Sequence, residues 1–186
     1  MSQAGVPNTA DATAPPVGRS FVDRVLGVLR LDASAYEDIA SDPGSMPQAV
    51  AVVAAAAIGR AISAPGGPFS HDGLIFLVYI AALWPITSLL VLTVGRWFDH
   101  PSELARVARV LGFAMAPYAL SVLGVVPVKP VQIAVLFLSM ALFLATFVVG
   151  VRHGLRTTTG RAGFVCVVIA LILVFAWMIY VYLTAS

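Results

Sequence analysis

The chain has 186 residues, of which 60% are hydrophobic and only 11% are Asp, Glu, Lys or Arg, and its net charge is +2. A soluble domain carries about 25% charged residues. Together with a mean hydropathy of +0.95, this composition excludes an ordinary soluble enzyme and a disordered chain, and it leaves a membrane protein with several spans.

Residues 1–18 are polar and rich in Ala and Pro. They lack the basic start and apolar centre of a secretory signal and are expected to form a disordered tail. Residues 19–45 then form a peripheral helical segment. From Arg19 to Leu31, Phe21, Val22, Val25, Leu26, Val28 and Leu29 fall on one side at helical spacing, with Asp23 and Arg30 opposite and Arg24 on the flank. The same pattern suits a helix lying in the membrane interface and a helix packed on the ends of a bundle. Ser34-Ala-Tyr-Glu37 has the spacing of a capping box, which predicts a short helix from Ala35 to Ala40 ended by a turn at Asp42-Pro-Gly44.

Residues 46–186 are read as a membrane domain with spans near 47–64, 74–94, 105–126, 131–151 and 162–184. The first is the weakest. Its apolar stretch, Pro47 to Gly59, reaches only about 20 Å across a core of about 30 Å, so it must extend past Arg60, which then sits near one end. A re-entrant first segment is the alternative. The other four are long apolar runs without alternation, which favours helices over a barrel. The expected fold is therefore an all-α membrane protein with five transmembrane helices and an N-terminal amphipathic interfacial helix.

Charge placement sets the orientation. With a cytoplasmic N-terminus, Arg19, Arg24, Arg30, Arg96, Arg106, Arg109, Arg152, Arg156 and Arg161 are inside, and only Arg60 and Lys129 are outside. This is a positive-inside distribution in short loops, and it puts the C-terminus outside.

The candidate functional features are few. Every Asp and Glu lies in a tail or loop, so none is placed as the buried carboxylate of a proton or cation pump. His71, His100 and His153 lie in loops near span ends and are expected to be solvated. There is no Ser-His-Asp spacing, phosphate loop or metal-protease helix motif, so no catalytic residue, metal or cofactor is expected. The lone Cys166 lies in an apolar run and reads as a small hydrophobe. Pro85 interrupts span two and Pro117 span three. Each frees a carbonyl four residues back, at Ala81 and Phe113, which Thr87, Ser88 or Tyr118 is placed to help satisfy, and the pair of kinks is a candidate cavity or hinge. Gly112 and Ala116 form a small-residue face for packing within the chain or for a homo-oligomer. Trp177 to Tyr182 reads as an interfacial aromatic belt. Arg106, Arg109, Arg152, Arg156 and Arg161 form a cationic surface suited to anionic lipid or a membrane protein partner. The few basic residues give no reason to expect nucleic acid.

Taken in order, several segments resemble the Yip family, integral membrane proteins named for interacting with Rab-type GTPases, and in particular its short prokaryotic members. They are Phe21-Val-Asp-Arg-Val-Leu-Gly-Val-Leu-Arg-Leu-Asp32, Tyr36-Glu-Asp-Ile39, Pro47-Gln-Ala49, Gly95, Arg109-Val-Leu-Gly-Phe-Ala-Met-Ala-Pro-Tyr-Ala-Leu120 and Val126-Pro127. The likeness covers about residues 21–184. It implies five helices and a cytoplasmic N-terminus. Ten arginines against one lysine, with abundant Ala, point to a GC-rich bacterial genome and thus to a bacterial inner membrane. The expected function is a non-enzymatic scaffold or accessory protein that binds a protein or lipid partner. The alternative is a small-solute channel or transporter using the proline-kinked spans.

Overall fold

The computed structural model describes residues 19–98 and 102–185. The expected tail at 1–18 and His100 lie outside the described residues, as do the side chains of Trp177 and Tyr180. Among the described residues the chain is all α, with no sheet. Helix α1 is Phe21–Leu29 and α2 is Ala33–Ser41. A 3-10 turn, Pro43–Ser45, leads into α3, Met46–Ile62. Helix α4 is His71–Gly95, α5 is Leu104–Ala114 and α6 is Ala116–Ala119, continued by a 3-10 segment, Leu120–Val125. Helices α7, Lys129–Gly154, and α8, Thr159–Ala185, complete the chain.

Five segments are long and apolar enough to cross a membrane: Pro43–Ile62, His71–Phe98, Leu104–Val125, Lys129–Gly154 and Thr159–Ala176. The weak first segment gains its length from the 3-10 turn before α3, and it forms one continuous helix to Ile62. The five differ in a systematic way. The first and third have mean hydropathies of 1.4 and 1.5 and are 44% and 67% buried, whereas the other three have 2.3 to 2.6 and are at most 22% buried. Protein surrounds the less apolar helices, and the more apolar ones turn broad faces outward, as a lipid solvent requires.

The third segment is the axis of the packing. Val107 and Leu111 of α5 join Val91, Phe147, Val151, Val165 and Ile169 from α4, α7 and α8. On its other side Val110 and Phe113 meet Ala49 and Val52 of α3 and Tyr36 and Ile39 of α2. Gly112 permits this approach: a Cβ there would lie 2.8 Å from the Ala49 Cβ and 3.2 Å from Trp84 Nε1.

The prolines act differently in the two spans. Helix α4 runs unbroken through Pro85. Thr87 and Ser88 donate to the Leu83 and Trp84 carbonyls at 2.7 Å each, so the hydroxyls act next to the proline and not at Ala81. The third span breaks at Met115. There the Ala114 carbonyl accepts from Thr146 Oγ1 of α7 at 2.8 Å, a bond from a neighbouring helix that the sequence reading did not foresee.

Helices α1 and α2 form a cap across the end of the bundle where α3 and α5 start and α7 ends. Ser20 caps α1 by accepting from the Asp23 amide at 3.2 Å. The cap of α2 is Asp32, whose Oδ1 accepts from the Ser34 amide at 2.9 Å, and not the expected Ser34–Glu37 box. Glu37 has a distant partner instead. Between the helices Leu31 adopts φ 58°, and Asp32 and Leu31 donate to the Gly27 and Val28 carbonyls, a Schellman closure made without glycine.

The buried face of α1 is also not the one its apolar residues alone predict. Arg24 is buried along with Gly27 and Val28, while Phe21, Val22 and Leu26 stay exposed. Hydrogen bonding explains the rotation. Arg24 Nε donates to Asp38 at 2.7 Å, Nη2 to Asp42 at 2.6 Å and Nη1 to Gln48 at 2.9 Å. One guanidinium thus ties α1 to α2 and to the first turn of α3.

Candidate functional site

The arginines read from sequence as one surface separate into two kinds. Arg106 and Arg109 are 6% and 7% exposed. They lie one turn apart near the start of α5 and reach under α2. Arg106 Nη2 donates to Glu37 Oε1 at 2.9 Å, and Nη2 and Nε both donate to the His153 carbonyl, at 3.2 and 3.3 Å. Arg109 Nη2 donates to the Ala40 carbonyl at 2.7 Å, near the end of α2. Arg152, Arg156 and Arg161 are exposed. Arg161 sits over the Phe98 ring at 5.8 Å. Arg156 adopts φ 52° just after α7, where the Thr157 amide closes on the Arg152 carbonyl at 2.9 Å.

His153 is not the solvated loop histidine the sequence suggested. Its ring stacks on Tyr36 with centroids 5.5 Å apart, and its Nδ1 is 3.6 Å from Glu37 Oε2. The docking of α2 covers it, and no local pattern reports that. His71, by contrast, is 87% exposed at its side chain. The Tyr36 hydroxyl lies 3.3 Å from the carbonyls of both Val28 and Thr146, which share its one proton.

The charge pairs shift the acids that make them. The hydrogen bond from Arg106 holds the Glu37 carboxyl below its usual range, against partial burial. Arg24 and the Gly44 amide do the same for Asp42. Ser34 and Arg19 bring Asp32 down to about 2. Burial works against the Arg24 charge, but its bonds to Asp38 and Asp42 outweigh that and raise its pKa.

A cleft of about 670 Å³ opens at this end between α2, the start of α5, the end of α4 and the turn after α7. Four arginines line it, Arg96, Arg106, Arg109 and Arg156, along with Ser41, Ser102 and one acid, Glu103. Arg96 and Glu103 are exposed, while Arg106 and Arg109 form the buried floor. Sequence reasoning counted Arg96 among the inside charges but not in the cationic surface; it sits one residue past α4 and joins the cleft only through the fold.

The remaining candidates take other positions. Gly112 and Ala116 are both buried, with Gly112 against Ala49 and Trp84 and Ala116 in the cluster with Val28 and Phe113. Pro117 is buried and Pro85 is exposed. Leu83 and Trp84 beside one kink and Met115 and Tyr118 beside the other pack into a single apolar cluster. Tyr118 also lines a cavity of about 200 Å³ with Arg60, Tyr79 and Ser139, away from the capped end. The Arg60 guanidinium lies 4.7 Å over the Phe76 ring. Among the described residues no group of three or more His, Cys, Asp or Glu is placed to hold a metal ion.

Residues 26–181 match the Yip1 domain family, and the chain belongs to it. The family is one of non-catalytic membrane scaffolds. No curated protein and no solved structure matches the chain.

Proposed function

We propose that this Yip1-domain protein, as a short prokaryotic member, is a non-enzymatic scaffold or accessory protein of a bacterial inner membrane that engages a protein or lipid partner at its capped end. The observation that carries the reading is the gathering of arginine there. Arg96, Arg152, Arg156 and Arg161 form an exposed rim around the buried pair Arg106 and Arg109. The exposed Phe21, Val22 and Leu26 of α1 add an apolar strip at the same end. Cationic and apolar groups together suit the headgroup region and the surface of a membrane-bound partner.

On this reading the capped end is cytoplasmic and the C-terminus lies outside, as positive-inside counting predicts. Residues 19–45 are the peripheral segment and 46–186 the membrane domain, with the first span crossing fully. The packing of Trp84, Met115 and Tyr118 against one another beside the two prolines supports a scaffold over a solute path between them.

The test is recovery of tagged protein from its own membranes in mild detergent, with co-purifying proteins and lipids quantified by mass spectrometry. An Arg152→Glu, Arg156→Glu double variant is expected to lose enriched partner or anionic lipid and still reach the membrane fraction at the wild-type level. Unchanged retention in that variant refutes the proposal.

A further inference from the structure

The cleft at the capped end contains more binding capacity than the fold consumes. Arg109 is more than nine-tenths buried, and its Nε has no hydrogen-bond partner even though Nη2 holds the Ala40 carbonyl. A buried guanidinium N–H without an acceptor is costly, and such groups are normally satisfied. Two more buried groups without partners lie close in the chain to Arg156, namely His153 Nε2 and Thr157 Oγ1. Of the four lining arginines, Arg106 is committed to Glu37 and the His153 carbonyl, while Arg96 and Arg156 stay exposed at the rim. Glu103 is the one acid in the lining, and it too is exposed. Asp42 is held by Arg24 and the Gly44 amide. The uncompensated charge of the cleft is thus positive, and Arg109, one of its lining residues, still has an N–H without an acceptor.

We propose that this cleft is a binding site for a phosphate group, with Arg109 at its floor and Arg96 and Arg156 closing on it from the rim. Planar guanidinium groups match phosphate oxygens with paired N–H donors, and several of them converging suit a phosphate better than a single carboxylate. The position fits as well. The cleft opens beside the first turn of α5 and the last turn of α7, where spanning helices meet the headgroups. A phospholipid headgroup and a free phosphate carry the same chemistry, and the experiment separates them. The proposal rests on reading the capped end as a partner surface and deepens it, since a general basic rim attracts anions without choosing among its arginines.

Full-length protein in nanodiscs of phosphatidylcholine is titrated with short-chain phosphatidate and, separately, with inorganic phosphate. Binding is followed by native mass spectrometry and by thermal stability. Wild type is expected to bind phosphatidate, and Arg109→Gln and Arg156→Gln each to weaken it about tenfold or more, the loss expected for a charged hydrogen bond. Arg152→Gln, on the rim outside the cleft, is expected to cost about twofold from the general field, and Lys129→Gln, at the other membrane face, nothing. Arg156→Gln guards against misfolding of the buried Arg109 variant, because Arg156 is exposed. If inorganic phosphate binds with the same dependence on Arg109 and Arg156, the site is supported and free phosphate is a ligand. If phosphatidate alone does so, the site is supported and the ligand is a lipid. Equal losses in Arg152→Gln and Arg156→Gln overturn the cleft and leave the rim standing. No binding of either probe by wild type overturns the phosphate site, while the co-purification test decides separately whether the capped end has a partner.

Discussion

Removing the Arg24 guanidinium should release the cap from the bundle. Arg24 is 2% exposed and makes three side-chain hydrogen bonds, to Asp38, Asp42 and Gln48. Bonds of this charged type contribute about 1.5–3 kcal/mol each when the groups are buried. The partners are less buried than the arginine: Asp38 and Asp42 are 25% and 39% exposed and rehydrate once it is gone. Asp42 also keeps the Gly44 amide at 2.8 Å. With that discount, Arg24→Ala is expected to cost about 3 kcal/mol in docking of α1 and α2, or roughly 150-fold in their opening equilibrium. Hydrogen–deuterium exchange in detergent or nanodiscs reads this directly, through protection of amides in residues 21–41 with α7 and α8 as internal reference. Arg24→Lys should fall between, since one ammonium cannot reach three acceptors in the same fixed geometry. Arg30→Ala, an exposed arginine just past the end of the same helix, serves as control. Protection within threefold of wild type in Arg24→Ala would refute the idea that this one side chain holds the cap.

Further outcomes follow from other contacts. Gly112→Val should lower thermal stability in detergent by at least about 2 kcal/mol, because its Cβ would already press on Ala49 and Trp84 between two helices. Thr146→Val keeps the shape but removes the bond to the Ala114 carbonyl; a loss of about 1–2 kcal/mol is expected, read by thermal melting. The cap should also be acid-labile. Glu37, Asp32 and Asp42 are depressed in the folded state, so their contribution is complete above the unfolded carboxylate range near pH 4 and is lost as pH falls through the folded values, which for Asp32 is about 2. Pepsin should therefore cut within residues 21–41 faster as pH drops from about 4 to 2, beyond the change in enzyme activity on an unfolded control.

The five apolar helices were legible because each carries a long apolar run, and a bilayer allows such runs few alternatives. The cap was only partly legible. Its apolar face was plain, but Arg24 turned inward because Asp38, Asp42 and Gln48 wait there, and those partners sit 14, 18 and 24 residues away. The Ser34–Glu37 spacing misled for a similar reason: Arg106, 69 residues on, takes Glu37, and Asp32 is left to cap the helix. Arg106 and Arg109 were visible as a pair on one helix face, yet nothing local distinguishes an arginine that faces water from one roofed by a docked helix. The same docking hid His153. Arg96 counted toward orientation but not toward the candidate surface, because it stands alone at the end of α4 and joins the cleft only with three arginines supplied by α5 and the turn after α7.

The match between apolar character and burial among the spans bears on how the chain is made. Of the five described spans, the first and the third are the least apolar, and both rely on contacts with other spans. Neither has its full set of neighbours when it emerges, because α7 packs on the third only after a further stretch of synthesis. Partition into lipid alone is weak for such segments. Membrane integration is therefore expected to be cooperative, with the early spans held beside the insertion machinery until α4 and α7 arrive. A nascent chain stopped shortly after Val126 should leave its third span extractable, and one extended through Gly154 should not.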